Sequence, residues 1–108
     1  MKGTYLGEFE ELVLLTIAIL DDDAYSLSVM DELKKRTGRK ILISSVHKVL
    51  TRLHGKGYLN SKMGGETDQR GGRKKKLYEL TQSGKDVIAA SRQLRNQMWD
   101  DAPQLSVS

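Results

Sequence analysis

The stretch from Ile43 to Thr81 limits what this 108-residue chain can fold into more than any other. Val46, Val49, Leu50 and Leu53 fall at i, i+3, i+4 and i+7, a single apolar stripe at helical period. Ser45, His47, Lys48, Arg52 and Lys56 occupy the faces away from it. Gly55 and Gly57 then stop the helix, because glycine takes the left-handed backbone that helix C-termini often use. Two β-prone runs follow, Tyr58–Met63 and Lys76–Leu80, separated by the loop Gly64–Lys75. A connection that long predicts an open hairpin rather than a two-residue turn.

A helix followed by a hairpin with a basic tip is the layout of a winged helix. The expected fold class is therefore mainly α with a small β-hairpin (α+β), a winged helix-turn-helix. Upstream, Gly7 to about Leu20 reads as a first helix. Glu8, Glu10 and Glu11 sit in its first turns, where acids complement the helix dipole. Its buried stripe is Phe9, Leu12, Val13, Thr16, Ile17 and Leu20, widened by Leu15 and Ile19. A face that wide implies contact on two sides, which makes Phe9 and Val13 candidates for a subunit interface. A second helix runs from about Ser26 to Arg36, with Leu27, Met30 and Leu33 inward. Ser26 or Ser28 is its candidate cap and Gly38 its C-cap. Ile41-Leu42-Ile43 is short and β-prone, and is expected to pair as a third strand beside the hairpin. Ser44 or Ser45 then opens the third helix. In a helix-turn-helix the second helix of the motif lies in the major groove with its N-terminal part nearest the bases. Ser44, Ser45, His47, Lys48 and Arg52 are thus the candidate DNA contacts on a recognition helix 44–56.

The wing, 64–76, carries five positive charges between Arg70 and Lys76, of which Arg70, Arg73, Lys74 and Lys75 are further candidate DNA contacts. Arginine entering a narrow minor groove is a recurring mode of shape readout. A phosphate-cradling nucleotide loop would need GxxxxGK[ST] leading into a helix, which is absent. Charge is also unevenly spread. Residues 1–33 hold eight acids and one lysine, a net of −7, whereas residues 34–76 hold fourteen bases and two acids, a net of +12. A basic middle of that size is a footprint for a polyanion, with a solvated lysine-rich face as the plainer alternative.

Thr81 caps a fourth helix reaching about Trp99. Val87, Ser91, Leu94 and Met98 repeat with 4-3-4 spacing, which resembles a coiled-coil seam though it lasts less than two heptads. Val87, Leu94 and Met98 join the candidate dimerisation residues. The division expected is a DNA-binding domain over 1–80, a dimerisation helix over 81–100 and a frayed tail over 101–108.

Several functions are excluded by inventory. The chain has no cysteine, so disulfides, thiolate metal sites and cysteine nucleophiles are ruled out. Asp21-Asp22-Asp23 lacks the spacing and partners of a calcium loop, so neither metal nor cofactor is expected. Two histidines, both on or at the end of the basic helix, and no nucleophile–base set leave no enzyme reading. The longest apolar run, Leu12 to Leu20, is too short to cross a bilayer, and no signal peptide is evident, so a cytoplasmic location is expected. The basic stretch lacks the stacking aromatics of single-strand RNA readers. A winged helix used only for protein contacts remains the rival, although it would not need so basic a middle.

Leu6-Gly7-Glu8-Phe9-Glu10, Asp23-Ala24-Tyr25 and Leu50-x-x-Leu53 with Lys56-Gly57-Tyr58-Leu59 occur in an order that is distinctive. So do Arg70-Gly71-Gly72-Arg73-x-Lys75 and Tyr78-x-Leu80-Thr81-x-x-Gly84. On these pieces the chain resembles the PadR family of bacterial transcriptional regulators, in its short form with one C-terminal helix, over roughly Leu6 to Met98. The resemblance implies a homodimer, usually a repressor, binding double-stranded DNA at a palindromic operator. By carry-over, Lys48 and Arg52 belong to the recognition helix, and Arg70, Arg73 and Lys75 to the wing. His47 departs from the family's usual tyrosine, and a histidine there could contact a phosphate with a charge that depends on pH. Some relatives bind flat aromatic effectors within the dimer, and Trp99 could supply a stacking surface for one. No particular effector is implied.

Overall fold

The structure, a computed structural model, describes residues 6–64 and 75–106. Its centre is α1 (Glu8–Leu20), which packs against α2 (Ser26–Thr37), α3 (Ile43–Gly55), a two-stranded antiparallel sheet and α4 (Gln82–Asp100). The strands β1 (Leu59–Gly64) and β2 (Lys75–Leu80) pair from Leu59 opposite Leu80 out to Gly64 opposite Lys75. A short α5 (Pro103–Ser106) closes the described chain. Val13, Leu14, Ile17, Val29, Leu33, Val46, Leu50 and Leu53 form the aliphatic core, which Leu59 and Tyr58 extend under the sheet. No helix of the described residues is long and apolar enough to cross a membrane.

Local chemistry sets most of the boundaries. Gly7 precedes α1 and its N–H donates to Glu10 Oε1 at 2.9 Å, so a side chain one turn in satisfies an amide outside the helix. Asp21 ends α1 with φ 56°, the only non-glycine positive φ among the described residues, and its N–H reaches the Ile17 carbonyl. Tyr25, not Ser26 or Ser28, is the residue preceding α2. Ser28 Oγ accepts the Tyr25 N–H at 2.9 Å and donates to the Asp23 carbonyl at 2.6 Å, fixing the turn from inside the helix. Gly38 closes α2 in the left-handed conformation (φ 70°), donating to the Lys34 carbonyl, as the sequence predicted.

Ile41-Leu42-Ile43 does not form a strand: Leu42 is the N-cap of α3 and Ile43 its first residue. The sheet instead gains its extra backbone partner from Ala24, whose carbonyl accepts the Tyr78 N–H at 2.8 Å. Ala24 is completely buried, which explains a small residue at that crossing. The stripes also shift in detail. Leu14 is buried in α1, while in α2 Val29 is buried and Leu27 is 52% exposed, because the neighbouring elements cover α2 from the Val29 side.

The hairpin hands over to α4 through one tight joint. Thr81 Oγ1 accepts the Gly84 N–H at 3.0 Å and donates to the Gly57 carbonyl at 2.7 Å, while the Thr81 N–H donates to the Tyr58 carbonyl. Gly84 lies directly on that carbonyl: a Cβ there would sit 2.2 Å from Tyr58 O. The Thr81-x-x-Gly84 pattern is thus a steric requirement of docking α4 on the backbone behind α3. Beyond this joint α4 projects away from the body, giving extents of 56 × 30 × 21 Å.

Candidate nucleic-acid interface

Helix α3 turns its Val46, Val49, Leu50 and Leu53 side inward, all nearly or fully buried. At 3.6 residues per turn the opposite line is Ser44, Lys48 and Thr51, all exposed. Thr51 is an addition that the sequence alone did not single out. Ser45 and Arg52 lie on one flank of this line, and His47 with His54 on the other, and these too are exposed. The five residues predicted on this helix therefore reach solvent, but they do not form one equivalent row. Between residues 39 and 56 there are five cations and no acid.

The two flanks are tied to different parts of the body. Glu10, buried on α1, brings Oε2 to 3.2 Å from Lys56 Nζ and 3.6 Å from the Arg52 guanidinium. Burial pushes the Glu10 carboxyl up, yet the Gly7 amide, Lys56 and Arg52 together outweigh it and hold it below the ordinary carboxylate value. Arg52 is therefore held toward α1 while still half exposed. Arg39, in the α2–α3 connection, is held at 2.5 Å by Glu8, whose pKa is lowered chiefly by that hydrogen bond. Lys40 and Lys48 have no ion-pair partner among the described residues. On the other flank His54 Nε2 stands 3.5 Å from Ser61 Oγ of β1.

Lys75 begins β2, and its Nζ lies 4.1 Å from the centre of the Tyr25 ring. A cation over a tyrosine face is a favourable contact, and here it joins the outer, loop-proximal end of the hairpin to the residue that precedes α2. Arg70, Arg73 and Lys74 lie outside the described residues. The roles of Tyr25 and Glu10 were not legible in the sequence, because their partners lie 50 and 42 to 46 residues away.

A protein-family model described as the transcriptional regulator PadR-like family matches residues 14–90. The chain belongs to that family. PadR-like proteins are transcriptional regulators, not enzymes, and they bind DNA. Among solved structures, this PadR-like chain is similar to a PadR family transcription regulator from Clostridium difficile R20291, with 21% identity and a TM-score of 0.69 over 89% of this chain and 96% of that one. It is similar also to a PadR-like transcriptional regulator from Bacillus cereus, with 17% identity and a TM-score of 0.72 over 93% and 92%. The Aeropyrum pernix Orc1 protein, solved in complex with DNA, shares 18% identity and a TM-score of 0.62 over 88% of this chain and 27% of that one. At these identities the likeness is one of fold. No curated protein matches the chain.

For this PadR-like chain, the apolar residues expected at a subunit seam divide into two groups. Val13 is fully buried and Val87 nearly so, both within the chain's own core, so they pack the protomer and are not available to a partner. Phe9 is half-buried against the same core. Leu94 and Met98 are 57% and 64% exposed on the outer half of α4, continuing the stripe that begins with the buried Gly84 and Val87. Trp99 is also largely exposed, as are Leu15 and Ile19 on α1. Glu11 fixes the two helices together, accepting hydrogen bonds from Ser91 Oγ and from Arg95 Nε.

Proposed function

We propose that this PadR-like regulator is a homodimeric repressor that binds a palindromic operator. Each protomer places its recognition helix 44–56, the helix α3, in a major groove, with the wing 64–76 beside it. Residues 1–80 are the DNA-binding unit and α4 the dimerisation helix. The observation that carries this is the outer line of α3, where Ser44, Lys48 and Thr51 are exposed in a segment of five cations and no acid. A face of that charge suits the phosphate backbone, and its short polar side chains suit base edges. The exposed Leu94 and Met98 on a projecting helix support a second copy, since contiguous apolar surface on a small chain marks an interaction site.

The test is fluorescence anisotropy of duplex from the protein's own upstream region against a scrambled duplex, at several salt concentrations. Preference of about 10³-fold or more with a steep salt slope is the expected result. No binding to either duplex even at low salt would refute the reading, and equal, weak binding to both would point to an operator elsewhere or to a protein-contact module. Lys48→Ala should lower affinity and flatten the salt slope by about one.

An effector-sensing version has one feature in its favour. A shallow groove of about 320 Å³ lies between α1 and α4, lined by Glu11, Leu15, Ile88, Ala89, Arg92 and Arg95, and Trp99 stands exposed further along α4. A flat aromatic compound that quenches Trp99 fluorescence and releases DNA at the same concentration would establish it.

A further inference from the structure

Leu42 is out of character with its position. The N-cap of a helix favours Ser, Thr, Asp or Asn, whose side-chain oxygen accepts a first-turn N–H. Leucine cannot do this, and no side-chain capping bond forms at the start of α3. Nor is the side chain buried in exchange: at 64% it is as exposed as any large apolar side chain among the described residues. It does not belong to the apolar strip of α1 and α4. It lines instead a shallow groove with Phe9, Arg39, Lys40, Ile41 and Ser45, two of whose members are cations.

The surroundings narrow what can cover it. A second copy meeting this face about a two-fold axis would bring its own Lys40, unpaired among the described residues, against the same residue, a like-charge contact. A polyanion is attracted to the same field. At the N-terminal end of a helix that enters the major groove, the apolar group a DNA duplex offers is the C5-methyl of thymine. We infer that Leu42 is a specificity-determining residue, packing on a thymine methyl in each half-site so that the protein distinguishes thymine from bases lacking the methyl. The inference rests on the assignment of α3 as the recognition helix.

The experiment uses the full chain. Preferred duplexes are selected from a random library, and each thymine of the selected site is then replaced by deoxyuridine, which removes only the methyl. For the wild type, deoxyuridine at one position per half-site should weaken binding roughly fourfold, the loss expected for one methyl's worth of apolar contact. Leu42→Ala should bind the thymine and deoxyuridine duplexes equally. Leu42→Ser restores a capping residue, and should be at least as stable as wild type while equally blind to the methyl. Wild-type indifference to every deoxyuridine substitution overturns the inference, as does a Leu42→Ala protein that still discriminates. If no sequence is selected at all, the DNA-reading function falls and the inference with it. If a sequence is selected and the methyl is irrelevant, only the role of Leu42 falls.

Discussion

Gly84→Ala is the most crowded glycine-to-alanine change among the described residues. The added carbon would sit 2.2 Å from the Tyr58 carbonyl oxygen and 3.2 Å from its carbon, both backbone atoms that cannot rotate away. Relief requires the first turn of α4 to lift by about an ångström, the gap between that distance and an ordinary contact. Lifting it stretches the Thr81 N–H to Tyr58 bond at 3.0 Å and the Thr81 Oγ1 to Gly57 bond at 2.7 Å. Overpacking costs about 1–3 kcal/mol, and weakening two hydrogen bonds adds about 1 kcal/mol each at most. Alanine returns up to about 1 kcal/mol in helix propensity. The net is a loss of about 2–3 kcal/mol. Urea unfolding followed by circular dichroism, at one fixed protomer concentration, should show the midpoint falling by about 1 M or more with an unchanged slope. Gly55→Ala is the control: no atom lies within 4 Å of its added carbon, and stability should hold or rise. A Gly84→Ala protein within about 0.5 kcal/mol of wild type would refute the steric account.

Glu10→Gln should cost about 1–2 kcal/mol at pH 7, less than a fully buried pair because Arg52 and Lys56 are partly exposed. Since the Glu10 pKa is lowered on folding, its contribution is present above the unfolded carboxylate value and is lost as pH falls through the lower folded one. The gap between variant and wild type should therefore close in unfolding curves taken between about pH 5 and pH 3; a constant gap would remove the charge explanation. The same variant frees Arg52 for phosphate, so its DNA-binding salt slope should steepen by about one. Leu94→Asp should convert dimers to monomers in sedimentation experiments while leaving the fold intact, and an undisturbed dimer would place the interface elsewhere. Asp21→Gly should raise stability by about 0.5–1 kcal/mol in thermal melts, because glycine adopts the φ of 56° without strain; a lowered melting temperature would contradict this.

What could be read from the sequence follows from how local each cause is. Thr81, Gly38 and the α3 stripe act within a turn of themselves, and each took its expected place. The hairpin pairs as predicted to within a residue or so at each end. Ile41-Leu42-Ile43 misled because β-propensity expresses packing against neighbours, and the available edge beside β2 is taken by Ala24, 54 residues away in sequence. Val13 misled for a related reason. A wide apolar face on α1 showed that two neighbours exist, but not which residue each would cover. Helix α1 meets α2, α3, α4 and β2, which leaves Leu15 and Ile19, not Val13, at the surface. The Glu10 contacts with Arg52 and Lys56 have no local signature.

Two consecutive residues of α1 fasten two different helices: Glu10 holds Arg52 and Lys56 of the α3 segment, and Glu11 holds Ser91 and Arg95 of α4. Rotation of α1 about its own axis cannot satisfy one pair while abandoning the other, because the two carboxylates are set about 100° apart on a rigid cylinder. Movement of the projecting helix is therefore linked to α3 through adjacent residues of α1 as well as through the core the helices share. A double-mutant cycle between Arg95→Ala and Arg52→Ala, read as DNA affinity, measures that transmission directly, and strict additivity would show that α1 turns freely between them.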